Sequence, residues 1–176
     1  RPPHRPAPFA SAAQRLQMVV AACREFPDFR IDDRELKRDG PSYTVPTLES
    51  LRAELGPVPL CLLVGSDSFA SLPTWHQWQR LPALAHLVVM RRPAAPGRPA
   101  TEPRLPAGLP ARFVTDAAAL KQAPAGLVYV APITPLAISA TEIRAAIARG
   151  EPPPAGSVPR AVWDYIENQQ LYREAA

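Results

Sequence analysis

Two short, almost wholly apolar runs, VPLCLLVG (58–65) and AHLVVM (85–90), constrain this chain more than any other feature. Both are far too short to span a membrane, and each is closed sharply, by Gly65 in one case and Arg91 and Arg92 in the other. A strand with one wet face alternates apolar and polar residues. A continuous run is the pattern of a strand buried on both faces, as in a parallel sheet covered by helices. Segments of helical period surround these runs. In 10–25, Leu16, Val19, Val20 and Cys23 share a face, with Ser11 as N-cap. After a turn at Pro41, a helix up to Gly56 points Leu48, Leu51 and Leu55 inward. FRID (29–32) reads as a short strand, and 72–81 as a helix opening at Pro73. RFVTD (112–116) and GLVYVAP (126–132) read as strands around a short Ala-rich helix. Helices at 139–149 and 159–169 follow, the second with Val162, Trp163 and Ile166 inward. Strands alternating with helices imply an α/β protein with a doubly wound, mostly parallel sheet, in a single domain over 1–176.

Composition narrows the function classes. Twenty Lys and Arg against sixteen Asp and Glu leave a net charge of +4, spread along the chain. That balance does not call for nucleic acid, and it suits small anionic substrates. With no apolar leader or spanning segment in the sequence, a membrane role is not expected and the default compartment is cytoplasmic. Cys23 and Cys61 fall in apolar patterns and read as reduced core residues, and no metal-ligand spacing is present. Of the 24 prolines, ten fall in 91–112 and 150–159, which lack apolar periodicity and read as surface loops.

In a doubly wound sheet, ligands bind beyond the carboxyl ends of the strands. That rule sends GSDS (65–68), RRP (91–93) and LAISAT (136–141) to one rim. The last of these opens a helix. Ser139 can be its N-cap with Glu142 completing a capping box, and Ile138 with Ile143 a hydrophobic staple. Thr141 and Arg144 lie three apart on another face, the arginine near the helix's positive end, where a cation is mildly disfavoured. A bound phosphate would give both a use: it accepts from N–H groups and hydroxyls and pairs with the guanidinium fork.

PPHRP (2–6), DDRELKRDGPSYTVPTL (32–48), LLVGSDSFASLPTWHQW (62–78), HLVVMRRP (86–93), ISATEIRAAI (138–147) and YIENQQLY (165–172) together resemble the bacterial nicotinate-nucleotide adenylyltransferase family of the HIGH-type nucleotidyltransferases. The ISxTxxR element alone marks only the superfamily, whereas PSYT with PTW points to this enzyme. The resemblance implies a Rossmann-like nucleotidyltransferase fold. It implies transfer of AMP from ATP to nicotinate mononucleotide, with Mg²⁺ accompanying ATP, giving deamido-NAD and pyrophosphate. It assigns His4, Arg5 and Arg144 to the catalytic phosphates, and Gly65, Asp67, Ser139, Thr141 and Arg144 to ATP. Tyr43, Thr44, Trp75, His76 and Arg92 go to the second substrate: Trp75 stacks on the pyridine, and backbone N–H groups near Thr44 and His76 hold the carboxylate, with Tyr43 beside them. The family opens with a GGTFDPxHxGH-like segment that has no counterpart here, since His4, His76 and His86 are the only histidines. The chain is therefore expected to be N-terminally truncated, its sheet lacking the first strand. Three other readings stand beside the enzyme: an inactive nucleotide-binding fragment, a sister adenylyltransferase for nicotinamide mononucleotide or phosphopantetheine, and a Pro-rich adaptor.

Overall fold

Cys61–Gly65 (β1) and His86–Met90 (β2) are adjacent parallel strands, paired from Cys61 with His86 to Gly65 with Met90. Arg112–Val114 (β3) and Leu127–Ala131 (β4) complete a parallel four-stranded sheet in the order β1-β2-β4-β3. This is the α/β parallel sheet expected. The computed structural model describes residues 10–91, 102–133 and 138–173. It divides into two compact units, Ser42–Ala137 and the pair of segments Arg1–Pro41 with Ile138–Ala176.

In the first unit, one sheet face, carrying Val64, Leu87, Val89 and Val128, is buried in a core with Val45, Leu48, Phe69, Leu72 and Leu81. Those residues come from Thr44–Leu55 (α2), Ser66–Ala70 (α3), a turn, and Leu81–Leu84 (α4). Gly56, at φ +67°, ends α2 in a backbone conformation that costs glycine little. Leu48 is buried as expected, but Leu55 is 44% exposed. A seven-residue step keeps it near the same side yet carries it about 10 Å along the axis, into the last turn.

β1 is not buried on both faces. Val64 is 4% exposed and Leu63 60%, because β1 is an edge strand and the face bearing Cys61 and Leu63 is not covered. Cys61 is thus exposed rather than a core residue, although partial desolvation still raises its thiol above the ordinary value. Nor is 72–81 one helix. Leu72–Thr74 and Trp78–Arg80 are separate 3₁₀ turns, with Trp75 extended between them and Gln77 left-handed at φ 52°. Trp78 N–H bonds to Trp75 O at 3.3 Å, an i to i−3 closure, so the three-residue spacing of the tryptophans serves a turn of 3₁₀ type. The Pro-rich segment is a surface loop only in part. Beyond 92–101, which lie outside the described residues, Leu109 is buried and Leu105 and Ala111 pack on the main core.

The end of the sheet opposite the rim is fastened by two side chains. Arg52 donates to the carbonyls of Gly56 (2.9 Å), Val58 (2.5 Å), Leu84 (2.5 Å) and Pro124 (2.9 Å). His86, fully buried, accepts from Leu127 N–H at Nδ1 (3.1 Å). Its Nε2–H therefore donates to Ala123 O (2.8 Å).

In the second unit, Ala12–Cys23 (α1) begins with a full capping box between Ser11 and Gln14 and packs on Arg160–Asn168 (α6). Ala21, Val162, Ile166 and Leu171 share a core with Ile147 of Ala140–Ala148 (α5). Trp163 is packed against that core, as expected. The inward face of α1, however, is Met18, Ala21 and Ala22; Leu16, Val19 and Cys23 instead line an open groove of about 450 Å³ with 28–32 and Leu36. FRID forms no strand, and Phe29 and Ile31 are 63% and 40% exposed. Its alternation suits a strand, but no described residue offers it a ladder partner.

Candidate functional site

The register makes the rim. Gly65 pairs with Met90 and Met90 with Ala131, so three parallel strands release the chain side by side. β1 leads directly into α3, with Gly65 as N-cap and Asp67 in the first turn, where a carboxylate complements the helix dipole. Gly65 has ordinary extended angles (φ −69°, ψ 156°), so the absent side chain, not a special backbone conformation, is what it contributes. β2 releases Arg91, which donates to Glu102 at 2.6 Å. Arg92 lies outside the described residues, as do His4 and Arg5.

Of the residues that the resemblance assigns to the second substrate, Tyr43, Thr44, Trp75 and His76 are described in this unit, and Tyr43 and His76 meet. Thr44 is the first residue of α2, and its N-cap, Tyr43, makes no side-chain capping bond; with Pro46 third, Thr44 and Val45 carry the N–H groups of this positive end. The Tyr43 ring stacks on His76, with centroids 4.4 Å apart and planes 29° apart. The resemblance sets Tyr43 beside Thr44 and His76; the stacking of the two rings is what the structure adds. Trp75 precedes His76 in the irregular turn, not at a helix start. Both Trp75 and Trp78 are partly buried against the main core, so packing does not separate their roles.

In the other unit, α5 begins as its spacing predicts. Ser139 caps it, its Oγ accepting from Glu142 N–H at 3.4 Å, a single bond rather than a reciprocal box. Ile138 is 45% exposed, so little of the staple's apolar area is covered. Arg144 Nη2 donates to Thr141 Oγ1 at 3.3 Å, which places the guanidinium and the hydroxyl on one exposed face of the first turns. No described helix is long and apolar enough to cross a membrane.

The family model for cytidylyltransferase-like proteins matches residues 1–146. A probable nicotinate-nucleotide adenylyltransferase of Aeromonas salmonicida is 49% identical over 98% of this chain and 79% of its own length. The namesake of Pseudomonas aeruginosa is 48% identical over 98% and 79%, and that of Dechloromonas aromatica 44% identical over 99% and 81%. Among solved structures, a Plasmodium falciparum nicotinic acid mononucleotide adenylyltransferase complexed with NaAD aligns at TM-score 0.47 and 19% identity. That alignment covers 74% of this chain and 57% of that one, a likeness too slight to carry anything further. On the family match and the extent of these identities, the chain belongs to the nicotinate-nucleotide adenylyltransferase family.

Proposed function

We propose that this protein, a cytoplasmic enzyme, transfers AMP from ATP to nicotinate mononucleotide, forming deamido-NAD and pyrophosphate. The observation that carries the reading is the meeting of the two most family-specific segments, PSYT and PTW, in the Tyr43–His76 ring stack at the uncapped start of α2. A pyridine carboxylate suits that start: Thr44 and neighbouring N–H groups can donate to it, and the helix dipole favours its charge. A carboxamide would bring a donor to donors, which is a source of discrimination. Trp75, partly exposed beside His76, offers an indole face for the electron-poor ring.

The chemistry asks little covalent work of the protein. A phosphate oxygen of the mononucleotide attacks the α-phosphorus of ATP, and the bond to the bridging oxygen breaks as pyrophosphate leaves. Catalysis is alignment and charge neutralisation. Ser139, Thr141 and Arg144 are the residues we assign to the triphosphate, together with His4 and Arg5; Gly65 and Asp67 are assigned to the adenosine, and Arg92 to a phosphate. Mg²⁺ enters as part of the substrate MgATP. We read the two units as parts of one nucleotidyltransferase domain, since the family match runs through both.

The test is to assay the product of the complete gene with ATP and either nicotinate or nicotinamide mononucleotide, in wild type and Trp75→Ala. Wild type should prefer nicotinate mononucleotide by at least about tenfold in kcat/KM. Trp75→Ala should raise KM for that substrate roughly five- to hundredfold, the range of a base–aromatic stack, with little change for ATP. Equal use of the two mononucleotides would favour the sister-enzyme reading. Equal effects of Trp75→Ala on both substrates would make the residue a packing element.

A further inference from the structure

The turn that carries Trp75 and His76 is held in an unfavourable backbone conformation. Gln77 has φ 52° and ψ 33°, a left-handed geometry that L-residues other than Asn and Asp adopt reluctantly. Such a conformation persists only where its surroundings over-determine it. Here a backbone bond of the 3₁₀ turn, which any residue at 80 would make, is joined by the side chain of one arginine. Arg80 Nη1 donates to Gln77 Oε1 at 2.7 Å, and Arg80 N–H donates to Gln77 O at 2.9 Å. The other arm of the same guanidinium, Nη2, pairs with Glu49 of α2. The turn is thereby tied to α2 at two places: through the Tyr43–His76 ring stack at the helix start, and through Arg80–Glu49 about 9 Å further along the axis.

We propose that Arg80 is a positioning residue for nicotinate mononucleotide: it braces the strained Gln77 turn against Glu49, so that Trp75 and His76 keep a fixed orientation to the N-terminus of α2. Arg80 itself touches no substrate in this role. The inference rests on the reading of Trp75 and His76 as pyridine-side residues. The planar fork matters, because one guanidinium reaches two partners at once, whereas a lysine offers only a single point charge. The ion pair is largely exposed, with Arg80 and Glu49 side chains 53% and 40% accessible, so its contribution to overall stability is small. Its effect is local.

The experiment uses the product of the complete gene, with steady-state kinetics in both substrates, calorimetric binding of nicotinate mononucleotide, and thermal melts. Arg80→Ala should raise KM and Kd for nicotinate mononucleotide about three- to tenfold, with kcat, KM for ATP and Tm nearly unchanged. Arg80→Lys should recover only part of the loss. The decisive variant is the double substitution Gln77→Gly, Arg80→Ala. Glycine adopts positive φ without a brace, so affinity should return to within about twofold of wild type. If Arg80→Ala affects both substrates equally, or if glycine at 77 restores nothing, the proposal is overturned. Trp75→Ala, run alongside, separates the two claims. If it weakens mononucleotide binding while Arg80→Ala does not, only the brace is wrong; if neither changes binding, the pyridine-side assignment falls as well.

Discussion

Among the described residues the one polar contact of the half-buried Arg144 side chain is a long bond to Thr141 Oγ1, and as the fifth of nine residues in α5 it lies past the first turn, where the helix dipole acts on it little. A guanidinium with most of its donors not taken up among the described residues is available for an anionic ligand. Arg144→Ala should therefore leave Tm unchanged and lower kcat/KM by about 2–4 kcal/mol of transition-state stabilisation, as loss of a placed charge donor does. Steady-state assay with ATP varied checks it, and a change below threefold would remove Arg144 from the triphosphate. The Thr141–Arg144 pair was legible because a helix turns a spacing of three into a shared face. The nearness of Tyr43 and His76 came from the family resemblance alone, and their ring stack from neither resemblance nor spacing, because nothing local relates a helix cap to a turn beyond the next strand. His86 illustrates the converse. The sequence shows only a histidine opening an apolar run, while the fold makes it a fully buried neutral imidazole satisfying a donor on one side and an acceptor on the other.

Elements followed the sequence where their signal was local, and departed from it where a partner had to complete them. β2, α5 and α6 lie within a few residues of their expected bounds, because apolar run length and cap spacing are local properties. FRID has the alternation of a strand without a neighbour to pair with, and the two-tryptophan segment has a spacing that 3₁₀ and α geometry share. Loops are fastened by interactions no pattern announces. Arg52 sits in the last turn of α2, where a cation is favoured by the dipole, and spends its fork on four carbonyls from three loops. Those loops precede β1, β2 and β4, so the residue sets the entry of three strands. Arg52→Ala should destabilise the protein by about 2–4 kcal/mol, since several charge-assisted bonds go together, and Arg52→Lys should recover less than half. Denaturant melts measure this. Substitution without loss would mean that the carbonyls find water at no cost.

At the scale of the molecule, the parallel sheet was legible and its incomplete cover was not. Whether a run is buried on one face or two depends on strand order, and β1 stands at the edge. Its outer side pairs with no described strand, its sequence from Cys61 to Gly65 carries no charge, and Leu63 is 60% exposed. On the same face Val88, Met90, Tyr129 and Val114 are only partly covered. Natural sheets blunt such edges with lysine, proline or a bulge, and none of these is present in β1. An uncharged apolar edge beside a partly open apolar face favours pairing with a second chain. The 176-residue chain studied alone should accordingly self-associate at micromolar concentration, seen by sedimentation velocity and by dye binding to exposed apolar surface. Leu63→Lys should shift the population toward monomer, because a charge on the edge strand must be desolvated for pairing. The same substitution should leave the thermal midpoint within a degree or two, since Leu63 contributes little to the core. A chain that remains monomeric with Leu63 intact, and binds no dye, would show that the β1 edge and its face are covered in solution.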